Sequence, residues 1–200
     1  MPDNKDRPSG LKPIKNLNGT PWSGKFNIYY KSISDGDTEA IFIGSPVMSA
    51  GSADASGKYP TIKLAGQTAA RGVVIGFGNT PYIAADVTDL DRLYATAAQA
   101  CYVAVVDDPN VIFECQEDSA TTFTKDQVGL NADLTTEAGN TTTGRSTVEI
   151  DCDTEDTGST LQVRIMRLVD RVDNALGDYA KFEIMFNQHE LGQGLGAAGV

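Results

Sequence analysis

The only histidine of the chain, His189, limits the catalytic chemistry that the sequence can support. Zinc sites built on histidine need several such side chains, and a Ser-His-Asp triad needs one that is held rigidly. His189 lies close to a glycine-rich C-terminal end, so we interpret it as a solvated surface residue. The run Gly76-Phe77-Gly78 lacks the downstream glycine and lysine of a phosphate-binding loop, and we interpret it as the end of a strand.

Two clusters of acidic residues offer oxygen atoms for metal binding or acid–base chemistry. The first places four carboxylates within residues 151–156, but it lacks the glycine and the distal glutamate of an EF-hand calcium loop. Strand alternation already directs Asp151 and Asp153 outward. The second cluster falls where a helix is predicted to begin and consists of Asp86, Asp89 and Asp91. Because nothing selects a pair of carboxylates for hydrolysis, we predict no catalytic residue, no metal and no cofactor, and we expect the chain not to be an enzyme.

The three cysteines, Cys101, Cys115 and Cys152, have no Cys-x-x-Cys spacing, and an odd number cannot form a closed set of disulfides. Cys115 and Cys152 each continue an alternating apolar series, so we expect both to pack in the core as small hydrophobic side chains. Free thiols also fit a reducing compartment.

The composition describes an acidic chain of ordinary globular character. Of its 200 residues, 40% are hydrophobic and 22% are charged, and the net charge is −11. This charge disfavours a general affinity for nucleic acid or for anionic membranes. No apolar run approaches the roughly 18 residues of a membrane span, and the first residues lack the apolar core of a signal peptide. We therefore expect neither nucleic acid nor membrane as a partner.

The charge is unevenly distributed along the chain. Residues 1–31 carry six basic and two acidic side chains, a net charge of +4, which leaves −15 on the other 169 residues. Residues 1–20 also contain three prolines and no sustained apolar stripe, a composition that favours an extended arm. Such a basic arm either contacts a partner, is attracted to its own acidic body, or stays solvated.

From residue 24 onward the dominant period of the apolar residues is two, as a half-buried antiparallel strand requires. The alternation is clearest at residues 26–30, 148–152 and 182–186. Segments that are apolar on both faces, typical of buried central strands, are 40–43, 73–77 and 101–106. Roughly eight to ten strands at this spacing predict an all-β fold, an antiparallel β-barrel or a jelly-roll-like sandwich.

Three local features refine this prediction. Asp107-Asp108-Pro109-Asn110 lies between two apolar runs and predicts a tight hairpin. The phase of the apolar residues changes after Ile165, which predicts a bulge near residues 166–167. Residues 88–98 combine helical spacing with the capping-box pattern Thr88-x-x-Asp91 and favour at most one short helix. An irregular crossover with a short strand is the competing interpretation of that segment.

These features divide the chain into three parts. Residues 1–23 are predicted to form an extended N-terminal arm, and residues 24–191 the β-barrel or sandwich body. Residues 192–200 are small and glycine-rich, so we expect a flexible C-terminal tail.

Several stretches of the chain resemble structural proteins of tailed bacteriophages. They are residues 45–54 (Ser-Pro-Val-Met-Ser-Ala-Gly-Ser-Ala-Asp), 102–114 (Tyr-Val-Ala-Val-Val-Asp-Asp-Pro-Asn-Val-Ile-Phe-Glu), 142–146 (Thr-Thr-Gly-Arg-Ser) and 161–192. More narrowly, residues from about 40 to 192 resemble the capsid decoration, or cement, proteins of short-tailed phages. The resemblance is a diffuse pattern of strand and turn residues without a catalytic signature.

The resemblance implies a β-barrel or jelly-roll-like body on the outer surface of a phage capsid, where it clamps neighbouring coat subunits. It implies the major capsid protein and further copies of the chain as partners, with a homotrimer preferred over a dimer, and synthesis in the host cytoplasm. Terminal arms of such proteins commonly lie along coat subunits. The expected capsid-binding residues of the arm are the basic Lys5, Arg7, Lys12 and Lys15 and the apolar Leu11, Ile14, Leu17 and Trp22. Trp22 fits a plug in the core or at the barrel end equally well.

Two other classes of function stay open at this stage. A head-fibre module that binds a receptor or a glycan would present clustered exposed aromatic side chains, and the chain has a single tryptophan. A phage-encoded hydrolase would need a pair of carboxylates that the sequence does not identify. Saccharide binding would favour the first of these classes, and turnover that depends on one carboxylate would favour the second.

Overall fold

The computed structural model describes residues 4–33, 39–81, 93–136 and 139–192, and its regular elements are almost entirely β-strands. The predicted all-β fold is therefore confirmed. The sole helical element of these ranges is a short 3-10 helix, Lys125–Gln127, and no described helix has the length and apolar content to cross a membrane. The strands are β1 (Lys12–Asn16), β2 (Asn27–Lys31), β3 (Ile41–Phe42), β4 (Pro46–Ala53), β5 (Pro60–Leu64), β6 (Gly72–Gly78), β7 (Tyr94–Ala95), β8 (Cys101–Val106), β9 (Val111–Gln116), β10 (Asn131–Ala132), β11 (Val163–Leu168) and β12 (Lys181–Phe186).

Five of the strands form an antiparallel sheet in the order β1-β9-β12-β11-β10. Alternate residues of its central strands point into one core, which is centred on Phe113, Phe182 and Ile184. Cys115 and Cys152 are buried in the same core, as the alternation predicts. Each large apolar side chain buried in this way contributes about 1.5–3 kcal/mol, so the core fixes which face of each strand turns inward.

Five further strands close into a barrel in the order β2-β5-β4-β6-β8. Its strand pairs are antiparallel except for β2 and β5, which meet in parallel at Tyr30 and Thr61. Gly72 lets β6 approach β8 closely, because a Cβ atom there would lie 2.2 Å from the carbonyl oxygen of Val106. The barrel encloses a second core that includes Val47, Ile62, Phe77, Val103 and Val105.

The bulge predicted in β11 is present. The pairing of β11 with β12 shifts register between Ile165 and Arg167. The extra residue places Arg167 in solvent and returns Leu168 to the partly buried face, opposite Phe182. The bulge thus keeps the apolar residues before and after the phase change on one core.

The predicted hairpin at residues 107–110 is wrong. The turn forms, with the Val111 amide donating to the Asp108 carbonyl oxygen at 3.1 Å, but β8 and β9 do not pair. β8 lies between β2 and β6 in the barrel, whereas β9 lies between β1 and β12 in the sheet. Turn residues set the local reversal of the chain, but the apolar side chains of the two strands are buried in different cores, and that burial decides the pairing partners.

The helix predicted over residues 88–98 is not formed in the part of it that is described. β7 falls inside this segment and pairs antiparallel with β3, and the rings of Phe42 and Tyr94 stack with centroids 4.8 Å apart. Residues 82–92, which carry the predicted capping box, lie outside the described residues. Tertiary pairing overrides helical spacing here, and the short strand agrees with the competing interpretation. The predicted tail, residues 192–200, likewise lies outside the described residues except for Gly192.

Candidate functional site

The N-terminal segment, residues 4–23, lies against the body, and its middle is part of the fold. Leu11 is 2% exposed within the core of the five-stranded sheet, and its amide donates to the carbonyl oxygen of Gly44 at 2.9 Å. Gly10 permits this close approach with a φ of +66°, because a Cβ atom there would lie 2.5 Å from the same oxygen. Leu11 is therefore a core residue, which corrects its prediction as a capsid anchor.

The strand β1 forms one edge of the sheet, and an ion pair ties it to β12, on the far side of β9. Lys15 Nζ lies 2.6 Å from a carboxylate oxygen of Glu183, and Arg167 Nε contacts the same carboxylate at 2.7 Å. Burial alone would raise the pKa of Glu183, but hydrogen bonds from Arg167 and Lys15 hold it below its ordinary value. Lys15 is thus bound to its own body, Ile14 is half-buried beside it, and Lys12 is exposed.

Lys5 and Arg7 open onto a cleft of about 270 Å³ that they share with a loop far along the chain. The loop covers residues 169–180 and connects β11 to β12. It contributes Arg171, and β12 contributes Lys181, so four basic side chains line one depression on a chain of net charge −11. We call it the basic cleft, and its lining consists of Asn4, Lys5, Arg7, Arg171, Asp173, Asn174, Tyr179 and Lys181.

Much of the positive charge in the basic cleft is unmatched. Arg171 is paired with two carboxylates, at 3.1 and 3.4 Å, one of which is Asp173 of the cleft itself. Within the described parts of the chain, no carboxylate lies at ion-pair distance from Lys5, Arg7 or Lys181. Cations grouped in a concave surface raise the local potential and attract negative groups. The cleft is therefore suited to carboxylate or other anionic groups.

Two asparagines fix the walls of the basic cleft. The buried Asn174 donates from Nδ2 to the carbonyl oxygens of Val169 and Lys181 at 2.9 Å each, and its Oδ1 accepts from the Lys181 amide at 2.9 Å. Asn4 donates to the carbonyl oxygen of Ala175 at 2.8 Å and accepts from the Ala175 amide at 3.1 Å. The Asn174 bonds hold the two ends of the loop together, and the Asn4 bonds join the N-terminal segment to the loop. The backbone of the cleft is therefore in place before any ligand binds.

Tyr179, in the wall of the basic cleft, has a φ of 60°, in the left-handed region. A side chain with a Cβ adopts that region at a cost of about 1–2 kcal/mol, and such strain is concentrated at ligand sites. The next amide, of Ala180, donates to the buried carboxylate of Glu117 at 3.1 Å and holds the turn in place. Burial raises the pKa of Glu117, while its hydrogen bonds oppose that rise.

The other end of the N-terminal segment lines a second depression, a groove of about 680 Å³. Trp22 is half-buried against the core of the sheet and also lines the groove, and its predicted contact with a capsid stays a prediction. Leu17, which is 50% exposed, lies beside it. We call this depression the tryptophan groove, and its lining consists of Asn16, Leu17, Asn18, Thr20, Pro21, Trp22, Ser23, Lys25, Asp108, Asn110 and Val111.

The predicted arm residues thus fall into distinct places. Lys5 and Arg7 line the basic cleft, and Leu17 and Trp22 line the tryptophan groove. The residues between them belong to the fold, except for the exposed Lys12. Sequence reasoning missed Arg171, Tyr179 and Lys181, because more than 160 residues separate them from Lys5 and only the folded chain brings them together. The one local signal was the charged run around Arg171.

His189 is buried, which corrects its prediction as a solvated residue. It is 9% exposed, its ring centroid lies 5.9 Å from that of Phe186, and its Nδ1 accepts the Leu191 amide at 3.0 Å. Burial lowers the pKa of His189, so the ring is neutral at physiological pH. The cause is a tertiary contact, a short parallel bridge between Ala70 and His189, that local sequence composition does not reveal.

One group of potential metal ligands occurs in the described chain, and hydrogen bonds already join its members. Ligand atoms of Glu117, Asp118 and Cys152 lie within 4.8 Å of one another. The Cys152 thiol donates to Glu117 at 2.8 Å, and the Cys152 amide donates to Asp118 at 3.2 Å. Burial raises the pKa of the Cys152 thiol, which opposes the thiolate that a metal would need. The predicted outward direction of Asp153 is observed, and the cluster at residues 86–91 lies outside the described residues.

Comparisons of this chain with known proteins identify no relative. No protein-family model, no curated protein and no solved structure matches the chain. The basic cleft and the tryptophan groove are therefore the surfaces on which a functional proposal must rest.

Proposed function

We propose that this chain is a virion structural protein that binds the outer surface of a phage capsid and clamps neighbouring coat subunits. The resemblance of residues 40–192 to cement proteins of short-tailed phages suggests the class of partner. The all-β body supports the proposal because a rigid scaffold can hold a binding surface at fixed geometry. Synthesis in the host cytoplasm followed by attachment to the finished shell belongs to the same proposal.

The observation that carries the proposal is the convergence of Lys5 and Arg7 with Arg171 and Lys181 in the basic cleft. A cation cluster on a strongly acidic chain attracts an acidic partner segment while the rest of the surface repels it. The contact would therefore be orientation-specific. An acidic stretch of the major capsid protein is the partner that fits this cleft.

The clamp we propose is a pre-formed surface and not a free arm. Exposed ion pairs contribute only about 0.2–1 kcal/mol each, so one cleft would bind weakly. Several copies in one oligomer raise the effective concentration of each contact, so the oligomer binds with a high overall affinity. We propose an oligomer on this ground. The resemblance to cement proteins favours a homotrimer, with a dimer as the alternative, and light scattering of the purified protein distinguishes the two.

A pair of matched variants tests the role of the basic cleft. The double variant Lys5→Glu, Arg7→Glu reverses the charge of two exposed side chains of the cleft. The control, Lys58→Glu with Arg145→Glu, makes the same change of charge at exposed positions outside the cleft. Each double variant is mixed with purified capsids of the phage that carries this chain, and the bound fraction is measured by co-sedimentation. We expect loss of binding for the cleft variant and retention for the control. Equal binding by both variants would rule out the basic cleft as the contact.

Deletion of residues 1–20 is a poorer test of the same proposal. It removes β1 and the core residue Leu11 together with the basic side chains, so loss of binding would follow from damage to the fold as well. The point variants leave Leu11 and β1 in place.

A further inference from the structure

Trp22 forms a fixed aromatic surface in the tryptophan groove. Its indole Nε1 donates to the carbonyl oxygen of Lys25 at 3.3 Å, and its ring packs against the core of the sheet. The Trp22 amide also donates to the carbonyl oxygen of Ile14 at 3.1 Å. The indole is therefore held in one orientation at the wall of an open groove, where its face can be covered by a flat ligand at little ordering cost.

Hydrogen-bonding atoms of both kinds surround the indole. Asn18 uses its Oδ1 to accept from Thr20, and Asn110 uses its Nδ2 to donate to Asp108. Their remaining polar atoms, Nδ2 of Asn18 and Oδ1 of Asn110, have no hydrogen-bond partner in the described chain, and neither does Lys25 Nζ. The groove thus offers donors and acceptors from its side chains together, which is what hydroxyl groups require because each both donates and accepts.

The backbone of the groove, in contrast, is largely satisfied. Amides that already donate within the chain are those of Asn16, Leu17, Thr20, Trp22, Asn110 and Val111. A peptide that adds to a sheet edge needs free amides and carbonyls along that edge. The groove therefore favours a ligand that is recognised by side chains and by an aromatic face.

We propose that the tryptophan groove binds a saccharide, with the apolar face of one sugar ring on Trp22 and ring hydroxyls bonded to Asn18, Lys25 and Asn110. The C–H groups of a sugar face carry partial positive charge and are attracted to the negative face of the indole. The opposite charges of Lys25 and Asp108 leave the groove without a strong net charge, as a neutral sugar requires. The volume of about 680 Å³ accommodates a short oligosaccharide. This site is independent of the capsid contact proposed for the basic cleft.

Because Trp22 is the single tryptophan of the chain, its fluorescence reports directly on the groove. The full chain is titrated with maltotriose, mannotriose and triacetylchitotriose, each up to about 10 mM, a range that covers weak saccharide affinities. We expect a saturable fluorescence change with at least one of the three. Sorbitol at equal concentration controls for bulk solvent effects.

Two lysine variants identify the place of binding. Lys25→Gln removes a charged hydrogen bond from the groove and is expected to weaken binding about tenfold. Lys58→Gln changes an exposed lysine outside the groove and is expected to leave the affinity unchanged. Saturation-transfer NMR repeats each titration, so that binding without a fluorescence change is also detected.

The proposal is overturned by either of two results. The first is no saturable signal from any of the three trisaccharides in both measurements. The second is equal affinity of the Lys25→Gln and wild-type chains, which would place the sugar elsewhere. A proline-rich octapeptide serves as the competing ligand, and saturable binding of that peptide without any sugar would identify a peptide groove instead.

Discussion

The basic cleft and the tryptophan groove flank β1 along the chain, and the binding that we propose for each rests on a different physical basis. The cleft joins residues 4–7 to residues 171–181 and carries an excess of positive charge. The groove is built mainly from residues 16–25 and the nearby turn at 108–111, and its charges nearly balance. Long-range contacts of the fold thus create an electrostatic site, whereas a local loop creates a site of aromatic and amide groups. Binding to the basic cleft should therefore weaken as salt is added, whereas binding to the tryptophan groove should not.

Both sites depend on the same structural middle, the part of the N-terminal segment that contains Leu11 and β1. Leu11 and β1 hold the N-terminal segment on the sheet, and Lys15 adds ion-paired contact with Glu183. Changes in the middle should therefore affect both sites, whereas changes at either end should affect one. The following predictions separate these cases, beginning with the largest effect.

Leu11→Ala should destabilise the whole chain, because it leaves a cavity in the core of the sheet. We expect a loss of about 2–4 kcal/mol in the free energy of unfolding, measured by urea denaturation. Leu17→Ala, in the exposed part of the same segment, should change it by no more than about 0.5 kcal/mol. Similar losses for both leucines would contradict the division into a structural middle and exposed ends.

Asn174→Ala should damage the basic cleft and spare the tryptophan groove. The substitution removes three hydrogen bonds that hold the loop of residues 169–180. The Val169 carbonyl oxygen and the Lys181 amide lose their Asn174 partner, whereas the Lys181 carbonyl oxygen still accepts from the Val169 amide. We expect about 2 kcal/mol of destabilisation and weaker binding to capsids. The emission spectrum of Trp22 should stay unchanged, and a shifted spectrum would indicate that the two sites are coupled.

The free energy of unfolding should depend on pH through Glu149. Burial, aided by the charge of Asp6, raises the pKa of Glu149 from 4.5 to about 7, although Gln116 donates a hydrogen bond to it. The folded chain therefore keeps a proton that the unfolded chain loses, and the free energy of unfolding falls as pH rises from about 4.5 to about 7.

Glu149→Gln tests this linkage, because glutamine imitates the protonated acid at every pH. We expect the variant to be more stable than the wild type at about pH 8 and to differ much less at about pH 5, by urea denaturation at each pH. A stability difference that is equal at the two pH values would exclude Glu149 as the titrating group.

The smallest expected effect is a gain in affinity for capsids. Asp173 is the one acidic residue in the lining of the basic cleft, and it contacts Arg171 at 3.4 Å. Asp173→Asn removes that negative charge and should strengthen binding to capsids by about two- to fivefold at low salt. The gain should disappear at high salt, because exposed charges are screened. Weaker binding at low salt would mean that the partner of the cleft is not acidic.

The period of the apolar residues carried most of the information about the fold. Val148, Ile150 and Cys152 are buried as their alternation predicts, and the phase change after Ile165 marks a real bulge. Alternation specifies which face of a strand is buried, because successive side chains point to opposite faces. It does not specify the neighbouring strand, and for that reason the turn residues after β8 predict a hairpin although the turn connects the barrel to the five-stranded sheet.

The candidate site was only half predictable for a related reason. Charge and composition marked Lys5, Arg7 and Trp22 as residues for contact, and these three line the two depressions. The partners of Lys5 in the cleft come from the other end of the chain, and no local pattern links them. The sequence does not reveal the burial of His189, because that burial depends on a contact with Ala70 far away in sequence.

The central claim is that the basic cleft meets the coat, and a reconstruction of capsids that carry the protein tests it most directly. The proposal predicts that the loop of residues 169–180 and the side chains of Lys5 and Arg7 face acidic residues of a coat subunit. A decorated capsid on which the basic cleft points into solvent, while another surface of the chain touches the coat, would contradict it.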